Sequence, residues 1–321
     1  MVRSLSMKSV LITGGAGFIG SHLADAMVKK GYRVVILDNL STGEKRFVPK
    51  QAVFIKGDVS RISDVRNAFG KFRFDLVMHV AGQASQIQAF SDPAYDLREN
   101  FEGTVNLVTE SVVHGVPRFL FASSMTVYGA SPVPVSETWA CVPVSYYAIS
   151  KYAAERFVLA TAERTDLMHP FHATSFRMFN VYGPRQSLTN PYQGAMAILT
   201  GNIVRNEPVT IYGDGRQTRD FIYIDDVVAV WLSAIENKHA YQEVFNLGYG
   251  AQISMNSLVK KLLRVYEKPA SYPVRHAKSR PGEQRYMQAD MRKVKKILGI
   301  IPSVSVGEGI LRTKAWVGKQ K

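Results

Sequence analysis

Tyr147 and Lys151 are the first residues of this 321-residue chain whose spacing suggests proton chemistry. If the segment between them is helical, the two side chains lie one turn apart on the same face. A lysine ammonium beside a phenol favours the phenolate and lowers its pKa, so the tyrosine becomes a usable general base near neutral pH. The spacing alone is common, and it gains weight only beside a nucleotide-binding motif.

A glycine-rich loop near the N-terminus supplies that motif. Gly14, Gly17 and Gly20 follow an apolar run at residues 9–13 and open a predicted helix at residues 19–30. Glycines at this spacing permit a tight turn and a close backbone approach to a pyrophosphate, which then sits at the helix N-terminus. A strand before the loop and a helix after it predict a dinucleotide-binding site.

The end of the second predicted strand, residues 33–38, indicates which nicotinamide cofactor binds. Asp38 is its last residue and Asn39 follows. A carboxylate at this place accepts hydrogen bonds from the adenine ribose hydroxyls and repels a 2′-phosphate. Because no arginine follows the carboxylate, the sequence predicts NAD rather than NADP.

The elements that would position these residues alternate between strands and helices. This alternation predicts an α/β fold, a doubly wound parallel sheet with crossover helices. Helical stretches are predicted at residues 95–114 and 147–165. Further short apolar runs, predicted to be strands, lie at residues 54–55, 76–79, 119–122 and 174–177.

The second half of the chain has a different texture. Glycine and proline become frequent at residues 183–215, and the alternation stops. The chain is expected to return to the sheet after Arg219, through a helix at residues 225–236 and a strand at residues 244–247. From residue 252 onward the tail is predicted to be helical apart from one loop.

Composition narrows the class of protein. Hydrophobic residues make up 46% of the chain, enough to bury a substantial core. No run of about 18 apolar residues predicts a membrane span. The single cysteine, Cys141, excludes a disulfide framework and suggests a reducing compartment, so a cytoplasmic protein is expected. The seven histidines show no metal-ligand spacing, so no metal is expected.

Positive charge is concentrated near the C-terminus. The net charge is +14, and residues 275–321 hold 12 lysines or arginines against three acids. Such a segment could bind a polyanion. Because no nucleic-acid-binding motif accompanies it, we interpret the charge as solvated helix faces with a few phosphate-binding arginines, and we expect no nucleic-acid partner.

Several short motifs elsewhere join the glycine loop and the Tyr147/Lys151 pair. They are Gly57-Asp58-Val59, Ala81-Gly82, Ser123-Ser124-Met125-Thr126-Val127-Tyr128-Gly129, Phe179-Asn180-Val181-Tyr182-Gly183-Pro184, Ile211-Tyr212-Gly213-Asp214-Gly215, Arg219-Asp220-Phe221-Ile222 and Arg280-Pro281-Gly282-Glu283. In combination they resemble the extended short-chain dehydrogenase/reductase family, specifically its nucleotide-sugar epimerases and dehydratases, over about residues 8–316. The resemblance implies a Rossmann-type domain of residues 1–178 plus 219–250. It also implies a smaller C-terminal substrate-binding lobe of residues 179–218 plus 251–321.

The resemblance assigns residues to NAD and to the reaction. Ser124 would hydrogen-bond the sugar hydroxyl that Tyr147 deprotonates, Lys151 would hold the nicotinamide ribose, and Thr126 is the alternative hydroxyl to Ser124. The implied cofactor-binding residues are Gly14, Gly17, Phe18, Ile19, Gly20, Asp38, Asn39, Asp58, Val59, Ala81, Gly82, Asn100, Ser123, Tyr147 and Lys151.

The resemblance also implies a nucleotide-sugar substrate, a UDP-sugar in particular. Two arginines converging on its diphosphate would form charge-assisted hydrogen bonds. The implied substrate-binding residues are Gln83, Met125, Thr126, Asn180, Tyr212, Arg219, Arg280, Glu283 and Met287. Family members commonly pair through the helix that carries Tyr147, so a homodimer is expected, with Tyr152, Phe157, Val158 and Leu159 as an apolar second face of that helix.

The chain departs from the family pattern where dehydratases carry an acid/base pair. Met125 and Thr126 stand there instead, which favours a 4-epimerase. Met125 and Met287 would crowd a rotating keto sugar, and the whole chain also resembles the UDP-GlcNAc 5,6-dehydratases of antibiotic biosynthesis, which lack that pair. The sequence hypothesis therefore leans to a dehydratase that eliminates water across C5 and C6, with a UDP-hexose or UDP-GlcNAc 4-epimerase as the alternative. Under the dehydratase hypothesis, Cys141 is a candidate acid/base, and adaptable packing is the other interpretation of these sulfur residues.

Overall fold

A computed structural model describes residues 7–190, 193–279 and 284–320 of the chain. The strands in these ranges are β1 (Ser9–Thr13), β2 (Arg33–Asp38), β3 (Val53–Lys56), β4 (Leu76–His79), β5 (Arg118–Ser124), β6 (His172–Met178), β7 (Asn180–Tyr182), β8 (Val209–Tyr212), β9 (Thr218–Tyr223), β10 (Glu243–Leu247), β11 (Gln252–Ser254) and β12 (Val274–Ala277). The α-helices are α1 (Phe18–Lys29), α2 (Ile62–Lys71), α3 (Gln86–Ser91), α4 (Pro93–Leu97), α5 (Gly103–Val113), α6 (Tyr146–Ala162), α7 (Ala195–Val204), α8 (Ile224–Ala234), α9 (Met255–Val265), α10 (Arg292–Leu298) and α11 (Val306–Gly318).

A parallel sheet forms the centre of the molecule. Within the described ranges it has seven strands in the order β10-β6-β5-β4-β1-β2-β3. All five residues of β1 and all seven of β5 are buried. Continuous burial of this kind is typical of parallel strands covered by helices on both faces. The predicted α/β, Rossmann-type doubly wound fold is confirmed.

Neighbouring residues of one strand face opposite layers of the core. Val10 and Ile12 of β1 pack with helices α1 and α8, whereas Leu11 packs on the other face with residues of α2, α5 and α6. Successive side chains of a strand point to opposite faces, so one apolar strand supplies both layers. Because these strands run parallel, the carboxyl ends of β1, β2, β4 and β5 lie at the same edge of the sheet.

After β6 the chain forms two smaller sheets, and one further strand joins the central sheet. Strand β9 pairs with β11 and β7 in a three-stranded sheet, not with the central sheet. Buried Asp220 explains its position, because the carboxylate accepts hydrogen bonds from the backbone N–H groups of Tyr249, Gly250 and Ala289. The chain then returns to the central sheet through α8 and β10, as predicted for residues 225–236 and 244–247, and β10 pairs with β6.

Element boundaries differ from the predictions at informative places. The helix predicted at residues 95–114 is α4 and α5 joined by a π-helical turn, Arg98–Glu102. Such turns often occur at functional sites, and this one carries Asn100. The tail is less helical than predicted, because β11 and β12 interrupt it. Within the described ranges, no helix is both long and apolar enough to cross a membrane.

Candidate active site

The glycine loop forms a cradle at the carboxyl edge of the sheet. Gly14 adopts a φ of +67°, and a Cβ there would lie 2.8 Å from the backbone nitrogen of Ala81. A Cβ on Gly20 would overlap the Gly14 carbonyl oxygen. Helix α1 begins after Gly17 with no side-chain cap, so its first N–H groups are open to an anionic group. Phe18 and Ile19 form the first turn above this cradle.

The residues expected on the adenosine side meet beyond β2 and β3. Asp38 accepts hydrogen bonds from the backbone N–H groups of Ala16 at 2.9 Å and Leu40 at 2.8 Å. Burial nevertheless raises the pKa of the Asp38 carboxyl. Asn39 donates to the Asp58 carboxylate at 3.0 Å, which joins the two strand ends. Val59 is buried beside Gly103, where a Cβ would touch it.

Two buried polar atoms support the fit of this edge to NAD. In the described part of the chain, Asn100 Oδ1 and Ser123 Oγ have no hydrogen-bond partner. Asn100 is 1% exposed, and its Oδ1 faces Gly82, where a Cβ would approach it to 2.6 Å. Buried polar atoms almost always have partners, so these two call for a polar group from outside the chain. The glycine cradle, Asp38 and these atoms together fit a dinucleotide.

The candidate catalytic hydroxyls lie at the end of β5. Ser124 is the last residue of that strand, and its Oγ accepts hydrogen bonds from the Thr126 hydroxyl at 2.9 Å and from the Thr126 N–H at 3.3 Å. Tyr147 lies in the first turn of α6, which Ser145 caps. Burial raises the pKa of Tyr147 to about 12, and a hydrogen bond with Ser124 opposes that rise.

Lys151 follows Tyr147 by one turn of α6 and is buried. Its ammonium lies 4.4 Å from the centre of the Phe121 ring. Burial lowers the pKa of Lys151 to about 8, while Asp96 and Glu155 act to raise it. The sequence predicts that this lysine lowers the pKa of Tyr147, but burial of the phenol raises that pKa overall.

A buried polar network that the sequence did not predict lies next to the turn of α6 that carries Lys151. Buried Asp96 accepts hydrogen bonds from Ser150, Gln83 and Asn100. Gln83, expected to face the substrate, is 8% exposed and also donates to the Ser85 carbonyl oxygen. The spacing of Asp96 and Asn100, four residues apart on one helical face, was the available signal.

Three sulfur-bearing side chains, Met125, Met287 and Cys141, pack in one apolar group of side chains, which we call the sulfur cluster. Met125 and Met287 belong to one buried apolar group with Tyr128, Val135, Phe179 and Ala289, and half-buried Cys141 packs against it. Burial raises the pKa of the Cys141 thiol. A thiol with a raised pKa is a weaker source of thiolate near neutral pH. This geometry supports the packing interpretation of the three residues.

A buried ion pair borders the sulfur cluster and was also missed. Arg177 contacts Glu155 at 2.6 Å, and their side chains are 7% and 0% exposed. The guanidinium lies 4.7 Å from the centre of the Tyr128 ring. The Arg177 and Glu155 side chains therefore neutralise each other beneath α6.

The residues expected to bind the nucleotide lie on the small sheets. Asn180 begins β7 and donates to the Asp220 carbonyl oxygen at 3.0 Å. Arg219 is 8% exposed and donates to the carbonyl oxygens of Thr218 and Gln284. Tyr212 ends β8 and is 39% exposed. Arg280 and Glu283 lie outside the described residues. In residues 7–190, 193–279 and 284–320, no group of three or more metal-binding side chains occurs.

Comparisons with known proteins agree with this geometry. A putative UDP-glucose 4-epimerase of Methanocaldococcus jannaschii is 32% identical over 96% of this chain and 98% of its own length. A UDP-N-acetyl-alpha-D-glucosaminuronate decarboxylase of Bacillus cytotoxicus is 30% identical over 96% of this chain and 97% of its own length. The crystal structure of UDP-glucose 4-epimerase with UDP-glucose from Thermotoga maritima matches at a TM-score of 0.91 and 35% identity, covering 97% of this chain and 99% of that one. Residues 10–248 match the model of the NAD dependent epimerase/dehydratase family, and the chain belongs to that family of NAD-dependent enzymes.

Proposed function

We propose that the protein is a UDP-hexose 4-epimerase that works through a 4-keto sugar. One observation carries the choice over a dehydratase. At the end of β5, Ser124 and Thr126 offer only hydroxyls, and Met125 between them belongs to the sulfur cluster. Elimination needs one group to accept the C5 proton and another to assist the leaving hydroxyl, whereas epimerisation needs neither. Relatives named as 4-epimerases support the same choice.

In this proposal Tyr147 accepts the proton of the sugar 4-hydroxyl. Ser124 holds that hydroxyl by a hydrogen bond. The hydrogen bond between Ser124 and Tyr147 already places the two side chains next to each other for this proton transfer. Bound NAD supplies the hydride acceptor at C4. Lys151 would hold the nicotinamide ribose, Asn100 would contact the cofactor on the same side, and Asp38 would hold the adenine ribose. The preference for NAD over NADP rests on the Asp38 carboxylate.

The proposed substrate carries a diphosphate and a uracil base. Arg219 lies on the same three-stranded sheet as Asn180, and a guanidinium there matches the charge of a diphosphate. Arg280 and Glu283 are proposed partners of the phosphate and ribose from the resemblance alone. Exposed Tyr212 offers a ring for stacking against the base.

Proton NMR of products from a UDP-sugar panel in deuterated water tests the proposal. The panel includes UDP-glucose, UDP-GlcNAc and UDP-glucuronate. We expect inversion at C4 with no deuterium at C5. Vinyl signals from the C6 protons together with loss of the C5 proton signal would show elimination, and loss of carbon dioxide from UDP-glucuronate would show a decarboxylase.

A 5,6-dehydratase is the second candidate, of the kind that acts on UDP-GlcNAc in tunicamycin biosynthesis. The observation that favours it is that Met125 and Met287 belong to one buried apolar cluster, with exposures of 8% and 9%. Two bulky methionine side chains at the sugar site would leave less room for a keto sugar to rotate. In a dehydratase Cys141, which packs against the same cluster, would then have to move a proton.

We also propose that the protein acts in the cytoplasm as a homodimer. The helix face expected for pairing needs correction, because Val158 and Leu159 are buried in the protein's own core. An apolar stripe remains at helical spacing on α6, formed by Tyr146, Ile149 and Phe157, the first two of them 48% exposed. Leu97, 50% exposed, and Phe101 lie beside it, and the Phe101 and Phe157 rings are in edge contact.

A further inference from the structure

Asp96 is a buried carboxylate to which the proposed reaction gives no role. It is 1% exposed and belongs to α4. Three side chains donate hydrogen bonds to it: Ser150 Oγ at 2.5 Å, Gln83 Nε2 at 2.7 Å and Asn100 Nδ2 at 3.0 Å. Hydrogen bonds to an ionised acceptor are short and strong, so these donors hold the carboxylate in one place.

The partners of Asp96 are neighbours of the residues proposed to face NAD. Ser150 immediately precedes Lys151, and Asn100 Nδ2 also lies 3.2 Å from Ser150 Oγ. Because Asp96 takes the amide nitrogen of Asn100, the amide oxygen is left turned toward Gly82 without a partner in the described ranges. One carboxylate therefore sets the orientation of Asn100 and supports the turn of α6 that carries Lys151.

The balance of charge around Lys151 also points to Asp96. The charges and titratable groups that act on this lysine are Asp96 from α4, Glu155 from α6 and His79 from β4, and Tyr147 lies one turn before it on α6. Glu155 is already neutralised by Arg177 at 2.6 Å. His79 is held between the hydroxyls of Thr13 and Thr104, and burial keeps its pKa well below the ordinary value, so it is neutral.

Of the two carboxylates that act on Lys151, Asp96 is consequently the one that forms no salt bridge within the described residues. Within the described residues, Lys151 itself forms no ion pair at salt-bridge distance. We infer that Asp96 is a positioning residue for Lys151: its carboxylate keeps the buried ammonium protonated and orients Asn100 toward the cofactor. This inference deepens the proposed function, since it concerns the same lysine, and it does not depend on which sugar is turned over.

Proton titration of Lys151 in the Asp96→Asn variant tests the inference. Protein labelled with ¹³C at lysine Cε is titrated by NMR with and without added NAD, and Lys151→Arg identifies the resonance by its loss. The wild-type midpoint is expected at about 8. In Asp96→Asn we expect it to fall by at least about one pH unit, a tenfold change in the ionisation constant.

Asp226→Asn is the matched control. Asp226 is likewise buried and accepts hydrogen bonds from Ser303 and Val304, but α8 packs on the other face of the central sheet. In Asp226→Asn the titration midpoint of Lys151 should equal that of the wild-type protein. An equal midpoint in Asp96→Asn would overturn the inference.

A second variant covers the case in which Asp96→Asn does not fold. Ser150→Ala keeps the Asp96 carboxylate but removes the 2.5 Å hydrogen bond that stabilises its ionised form, together with the Ser150 contacts to Asn100 and to the Tyr147 carbonyl oxygen. We expect a smaller fall of the Lys151 midpoint in the same direction, and an unchanged midpoint would again overturn the inference. Because no sugar is present, failure of the epimerase proposal would leave this result intact.

Discussion

Tyr147 and Lys151 show how burial acts oppositely on an acid and a base. Burial raises the pKa of the tyrosine to about 12 and lowers that of the lysine to about 8. In both cases the charged form loses hydration that the protein only partly replaces. Without a bound substrate and cofactor, Tyr147 therefore remains protonated near neutral pH.

Replacement of Tyr147 by phenylalanine should abolish turnover while the fold is kept. A positioned general base typically contributes about 100- to 10,000-fold to the rate. Tyr146→Phe is the matched control, because this neighbouring tyrosine is 48% exposed on the outer face of α6. The measurement is product formation from the best UDP-sugar of the panel, with circular dichroism to check folding. Near-normal turnover in Tyr147→Phe would refute the assignment.

Cys141→Ala distinguishes the two candidate reactions. An epimerase has no use for the thiol, whose raised pKa suits packing against the sulfur cluster. We expect turnover close to that of the wild type and a small loss of stability from the lost packing. The opposite outcome requires that the wild-type protein eliminates water. If Cys141→Ala then slows elimination at least about tenfold while C4 oxidation is kept, the thiol moves a proton.

Strands β5 and β6 are tied to helix α8 by one arginine. Buried Arg118 donates to the carbonyl oxygens of Ala234 at 2.8 Å and Ile235 at 3.1 Å, and to the Thr174 hydroxyl at 2.6 Å. The last carbonyl groups of a helix lack intrahelical partners, so this side chain caps α8. Burial lowers the pKa of Arg118 to about 10.

Arg118→Met should destabilise the protein without changing the site directly. Buried carbonyl oxygens that lose their donors cost about 1–3 kcal/mol each, so we expect a loss of about 2–4 kcal/mol in the free energy of unfolding. Urea denaturation followed by circular dichroism measures it. Arg164→Met, which removes an exposed arginine that pairs with Asp166, should barely move the midpoint. Equal midpoints for the two variants would contradict the capping role.

Charge across the assembled protein is more evenly paired than the basic tail suggests. Arg285, Lys293 and Lys314 in the tail form ion pairs with Asp214, Glu243 and Glu267. These acids lie in earlier parts of the chain. Part of the local positive charge is therefore compensated in three dimensions, which the count along the sequence does not reveal.

Light scattering at micromolar concentration should give twice the mass of the chain. The apolar stripe on α6 and the neighbouring Leu97 would otherwise remain in water. Leu97→Glu should shift the mass toward a monomer, because a carboxylate would be buried at the interface. Met168→Glu is the control, at a residue 90% exposed in the loop after α6. A monomeric wild-type protein would count against the proposal.

Local patterns in the sequence determined the fold class and the cofactor site. The loop with Gly14, Gly17 and Gly20 and the strand ending in Asp38 are contiguous motifs, and their geometry follows from the backbone within a few residues. Apolar runs between helical stretches likewise predicted all seven described strands of the central sheet, because buried parallel strands are continuously hydrophobic. Such features need no knowledge of distant contacts.

Tertiary structure alone decided how the side chains at the site are charged and paired. Asp96 meets Ser150, and Glu155 meets Arg177, across gaps in sequence that no local pattern spans. Val158 and Leu159 were expected on an outer face and lie in the core, because a helical apolar face does not say which layer covers it. The pKa of Tyr147 followed burial rather than the nearby lysine, since desolvation depends on everything packed around the phenol.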